Sequence, residues 1–169
     1  GSDETLRAVP VLRQPLALVT RPGAWPAPGP VRFVDAVKTD IVVRGDTSHV
    51  VDIMNRTAAE HGLAVNVAYE IDSLSAMKEV ILQYGATSIL PVDSVHEEVS
   101  RGDVEIHEIV EPSLEMIMEF VMRDVQPPTE ADLPLLAFLD ELLDDFLIEI
   151  GAQNRRLNRL AGLAVTEAA

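Results

Sequence analysis

The sequence predicts an α/β fold, and three observations predict it. Between Asp40 and Val110, short apolar runs alternate with amphipathic stretches. Each amphipathic stretch is closed by a glycine, Gly62, Gly85 or Gly102, which takes the left-handed conformation of a helix end at little cost. The apolar runs are compact and nearly continuous, as in strands buried on both faces of a parallel sheet. Strand, helix, strand, helix, strand, helix, strand in that order implies mostly parallel strands with covering helices and right-handed crossovers.

Taken in order, Gly1-Ser2 has the look of a cloning scar and is set aside. Val9–Leu12 and Leu16–Val19 are extended apolar runs on either side of Pro15, so they read as two strands or one bent at the proline. Residues 21–30 hold four prolines and two glycines around Trp25 and read as a loop, with Trp25 folded onto the core rather than stacking on a ligand. Residues 31–38 suit a short helix, and Asp40–Val43 a buried strand. Arg44-Gly-Asp-Thr-Ser48 then leads into a helix through Glu60, with Val50, Ile53, Met54, Thr57 and Ala58 inward. Val65–Ile71 alternates as a strand. Asp72 or Ser73 caps the next helix, whose inward face is Leu74, Met77, Ile81 and Tyr84. Ala86–Leu90 is a buried strand closed by Pro91, and Ser94-x-x-Glu97 a capping box for a helix ended by Gly102. Val104–Val110 is a strand. Leu114–Met122 is another, with Leu114, Met116, Met118, Phe120 and Met122 on one face and Glu115 and Glu119 on the other. After Gln126-Pro-Pro128, Thr129-x-x-Asp132 opens a long helix. Leu136, Leu143, Ile150 and Leu157, interleaved with Leu139, Phe146, Gln153 and Leu160, form a heptad seam interrupted at Gly151.

Composition narrows the function. The 169 residues carry 13 basic and 28 acidic side chains, a net charge of −15, which repels phosphate backbones and argues against DNA binding by this piece itself. With no cysteine there is no disulfide framework and no thiolate metal site, and a reducing compartment is expected. No apolar run is long enough to span a bilayer, and no secretory signal is present.

Catalytic patterns are missing. His49, His61, His96 and His107 lack ligand spacing, and there is no phosphate-binding glycine loop and no nucleophile elbow. Asp140, Glu141, Asp144 and Asp145 read as the solvated face of the last helix, and Arg155, Arg156 and Arg159 as cations offsetting its dipole. Anion capture has more support. Arg44–Ser48 sits where a strand ends and a helix begins, where free N–H groups and partial positive charge point outward. The Asp72-Ser73 and Thr87-Ser88 edges belong to the same sheet and can face the same crevice. The bland alternative, each polar residue merely capping its own helix, is the commoner use of such residues and stays open.

The run from Tyr69 to Ile81 and the run Ile89-Leu-Pro-Val-Asp-Ser-Val95 resemble the effector-binding domain of LysR-type transcriptional regulators. The early strands, the hydroxyl-rich turn at Ile41–Ser48, the strand after Gly102 and the helix from Thr129 follow in the same order, so the resemblance covers about residues 6–147. One departure is Tyr84-Gly-Ala86, where the family usually carries glycine-x-glycine. The family's helix-turn-helix domain, linker helix and first half-lobe are not recognisable here. The resemblance implies a fold like type 2 periplasmic binding proteins, with one complete lobe and part of the other. Residues 21–108 would be the second lobe, 3–20 and 109–150 the remaining part of the first, and 151–169 a helical tail. It implies a non-enzymatic, cytoplasmic sensor with no cofactor, binding a small anionic metabolite at Thr20, Thr47, Ser48, Asp72, Ser73, Thr87 and Ser88; Asp72 would also suit an amine. DNA would be held by the separate helix-turn-helix domain. The rival reading is a solute-binding protein for transport. The strand at Leu114–Met122 would lack sheet neighbours, so the chain is expected to dimerise or swap segments there or through the last helix.

Overall fold

A computed structural model of the chain describes residues 6–26, 29–45 and 48–123, together with helical positions Pro134, Ala137, Phe138, Glu141, Leu142, Asp144, Asp145, Ile148 and Ala152. Strand β1 (Leu6–Thr20) organises the rest. Its first part, Leu6–Pro15, runs antiparallel to β7 (Glu115–Arg123), with a register shift between Pro10 and Leu12. Its second part, from Leu16, lies antiparallel between β5 (Ser88–Pro91) and β6 (Glu105–Val110). The two apolar runs of the sequence are therefore one strand, and Pro15 falls where it changes partners.

Parallel pairing holds where helices cross between strands. Strand β2 (Val31–Arg32) pairs parallel with β6, and β3 (Ile41–Val43) parallel with β4 (Val67–Glu70). A parallel bridge joins Ile41 to Thr87 at the start of β5. The sheet is thus mixed, and the antiparallel partnership of β5 with β1 departs from the expectation of a parallel neighbour.

Alternation along each strand builds two apolar layers, because successive side chains point to opposite faces. Leu16, Leu18, Ile41, Val43, Ile89 and Ile109 face one layer, where α1 (Phe33–Ala36) contributes Phe33 and Ala36, and α2 (His49–Glu60) contributes Ile53, Met54 and Ala58. Ala17, Val19, Val42, Leu90 and Ile106 face the other, against Met77 and Ile81 of α3 (Leu74–Tyr84) and Val92 and Val95 of the 3-10 turn Val92–Val95. Trp25 packs against the first layer, as expected.

Three local readings change. Tyr84 is 78% exposed rather than inward, being the last residue of α3 before Gly85 turns the chain. Strand β4 is exposed along its whole length, so the apparent alternation of Val65–Ile71 buries no face within β4. The Ser94–Glu97 capping box does not form. The 3-10 turn starts directly after Pro91, so α4 (His96–Arg101) begins later, and Glu97 pairs with Arg101 at 3.3 Å instead. The heptad residues of the last helix lie outside the described residues.

Candidate functional site

At the bridge between Ile41 and Thr87, β3 and β5 run side by side in the same direction. At the end of β3, Val43 leads through Arg44 and Gly45 towards α2; β5 ends at the 3-10 turn Val92–Val95; and Asp72 and Ser73, which follow β4, lead into α3. In an α/β sheet this is the place where strand carboxyl ends and helix amino ends leave a crevice.

A hollow of about 340 Å³ occupies it. Arg44, Gly45, Ser48 and His49 form one wall, Asp72, Leu74 and Met77 a second, and Ser88–Pro91 with Ser94 a third; Met116 of β7 also lines it. Its polar groups are few and mixed in sign, one guanidinium, one carboxylate, one imidazole and three hydroxyls. Valines, Leu74, Ile89, Leu90 and three methionines supply an apolar wall. A concave, mostly apolar site with a few convergent polar groups is the general form of a small-molecule site.

Of the residues singled out from sequence, Ser48, Asp72 and Ser88 come together here. Ser48 occupies the N-cap position of α2 without a side-chain capping bond, so plain capping does not account for its hydroxyl. Ser88 is 1% exposed and its hydroxyl donates to the Val42 carbonyl at 2.8 Å, which ties β5 to β3 beneath the hollow. Ser73 caps α3, accepting a bond from the Ala76 N–H at 3.4 Å, and does not line the hollow. Thr87 turns away to Thr39, 2.6 Å between hydroxyls, and to the Asp40 carbonyl. Thr20 is buried and bonded to His107 Nε2 at 3.1 Å, under Trp25, whose ring centre lies 5.9 Å from that of His107. Thr47 lies outside the described residues.

Sequence reasoning missed Ser94 and Met116. In the sequence Ser94 reads as a helix cap and Met116 as part of an apolar strand face, and no periodic signal marks either as a lining residue. The hollow is also tied to β1, because Gln14, 1% exposed, donates from Nε2 to Asp93 Oδ2 at 3.0 Å, next to Ser94. Among the described residues, no group of three or more His, Asp or Glu is placed to hold a metal ion, and no helix is long and apolar enough to cross a membrane.

Comparison with known proteins agrees with this architecture. The family model described as LysR substrate binding domain matches residues 1–146. No curated protein matches the chain. Among solved structures, the chain resembles the regulatory domain of Synechocystis PCC6803 CcmR in complex with 2-PG, at 18% identity and a TM-score of 0.68, over 85% of this chain and 69% of that one. It resembles a C206 mutant of Corynebacterium glutamicum OxyR at 12% identity and a TM-score of 0.70, over 99% of this chain and 51% of that one. It also resembles the effector binding domain of QuiR in complex with shikimate, at 17% identity and a TM-score of 0.62, over 88% of this chain and 66% of that one. The chain therefore spans about half the length of the OxyR protein and about two thirds of the two isolated domains.

Proposed function

This chain belongs to the LysR substrate binding domain family, and from that premise we propose that it is the effector-sensing domain of a LysR-type transcriptional regulator, which binds a small, anionic metabolite without transforming it. The observation that carries the reading is the hollow at the shared ends of β3 and β5, lined by Arg44, Ser48 and Ser88. The similar domains of CcmR and QuiR were solved with 2-PG and shikimate, which supports a small-molecule guest. In this reading residues 21–108 are the second lobe, 3–20 and 109–150 the part of the first lobe present, and 151–169 a tail. Strands β1 and β7 cross between lobes, so Met116 brings the crossing strand to the guest. Occupancy shifts lobe and subunit geometry in the cytoplasmic, oligomeric regulator, and a helix-turn-helix domain outside these 169 residues holds the DNA. Solute transport, the rival within this fold, gains no support from the family match or the regulator structures.

A thermal-shift panel of organic acids, amino acids and inorganic oxyanions tests the proposal. A ligand at a hundred times its Kd adds roughly 2.7 kcal/mol, about 5–10 °C for a chain of this size. At least one compound of the panel should produce such a shift, and Ser48→Ala with Arg44→Gln should weaken its binding about tenfold. No shift across the panel, or a shift indifferent to both substitutions, counts against the site.

A further inference from the structure

The rim of the hollow carries opposite charges that do not cancel one another. Arg44 and Asp72 both line it, and neither takes part in an ion pair among the described residues. Asp72 is held over the turn between β3 and α2. A Cβ added to Gly45 would lie 2.7 Å from Asp72 Oδ1, closer than real Cβ atoms approach, so glycine is what lets the carboxylate stand there. Much of the remaining lining is apolar, with Val50, Leu74 and Leu90 among its residues.

This distribution bears on which acid fits. A plain carboxylic acid drawn in by Arg44 places its negative charge in the same small space as Asp72, and like charges repel there. A molecule that also carries an ammonium group turns that repulsion into attraction, so Asp72 works for one class of guest and against the other. Resting on the reading of the hollow as an effector site, the structure assigns the effector to the amino-acid class: a small zwitterion with an apolar side group. Arg44, Ser48 and the amino end of α2 take the carboxylate, Asp72 takes the ammonium, and the apolar wall takes the side group. The methionines Met54, Met77 and Met116 make that wall adaptable, which suits an aliphatic or thioether side group of irregular shape.

Four matched probes decide this by calorimetry on the 169-residue chain: leucine, 2-hydroxy-4-methylpentanoate, 4-methylpentanoate and 3-methylbutylamine. Leucine should bind about tenfold more tightly than 4-methylpentanoate, with the hydroxy acid between them and the amine weaker than leucine. Asp72→Asn should bring leucine and 4-methylpentanoate to within a few-fold of each other. Gly45→Ala should do the same by displacing the Asp72 carboxylate, a short free end that can swing aside without unfolding the chain. Equal or tighter binding of 4-methylpentanoate, or a leucine preference that survives Asp72→Asn, overturns this inference and leaves the small-molecule site standing. Binding of none of the four also overturns it, and the broader anion panel then judges the site by itself.

Discussion

His107 illustrates how much one side chain can set at the residue scale. It is 7% exposed in β6, bonded to Thr20 and covered by Trp25. Burial disfavours its charged form and holds its pKa below the usual 6.5, against the pull of Glu105 and the Gly29 backbone. The unfolded chain therefore takes up the proton first, so the stability linked to His107 is present above pH 6.5 and is lost as the pH falls through the lowered value. Glu98 titrates in a second, lower window. Burial works to raise its pKa, but Lys78 Nζ, 2.9 Å away, and Arg101 outweigh it, and the net shift is below 4.5. Its contribution is present above pH 4.5 and is lost on further acidification through the lowered value. Melting temperature should accordingly fall in two stages with acid. His107→Gln should flatten the upper stage and leave the lower, and Glu98→Gln should do the reverse. An upper stage unchanged by His107→Gln would mean that another group titrates there.

At the scale of elements, the helix ends are the sharpest test. Gly85 and Gly102 both sit in the left-handed region, at φ 71° and 76°. A Cβ on Gly102 meets nothing within 4 Å, whereas one on Gly85 comes within 3.2 Å of the Arg21 guanidinium. Gly102→Ala should cost about 1 kcal/mol for the strained backbone. Gly85→Ala should cost that and a further amount for moving Arg21, so denaturant melts should rank it as the more damaging. Equal losses would show that Arg21 gives way freely. These glycine stops were legible in the sequence because they answer to local backbone chemistry, and so was the order of strands and helices. The antiparallel seat of β5 beside β1 was not legible, because Leu16 and Pro91 meet across 75 residues and nothing periodic in either run fixes the partner. The region of the candidate hollow was legible in the sequence, but not the choice between neighbours: sequence offered Asp72, Ser73, Thr87 and Ser88 beside Ser48, and of these Asp72 and Ser88 line the hollow while Ser73 and Thr87 do not. One position along a helix turns a side chain by about 100° and along a strand by about 180°, so knowing where an element ends leaves open which neighbour faces inward.

For the whole molecule, a single copy leaves apolar surface in water. Strand β7 pairs only with β1 among the described residues, and its Ile117 and Val121 are 41% and 53% exposed. Phe138, Leu142 and Ile148 of the last helix are 59%, 53% and 67% exposed. An unpaired apolar edge of this kind recruits a partner, so light scattering should give about twice the 18.4 kDa chain mass; a monomer at every concentration would contradict it. The central claim is that the guest sits where β3 and β5 meet the starts of α2 and α3. Amide chemical-shift mapping, with each compound of the anion and amino-acid panel in turn, tests it most directly. A binding compound should move the amides of residues 44–51, 72–77 and 88–94 together. Shifts centred on another face of the molecule, or none with any compound, would contradict the account.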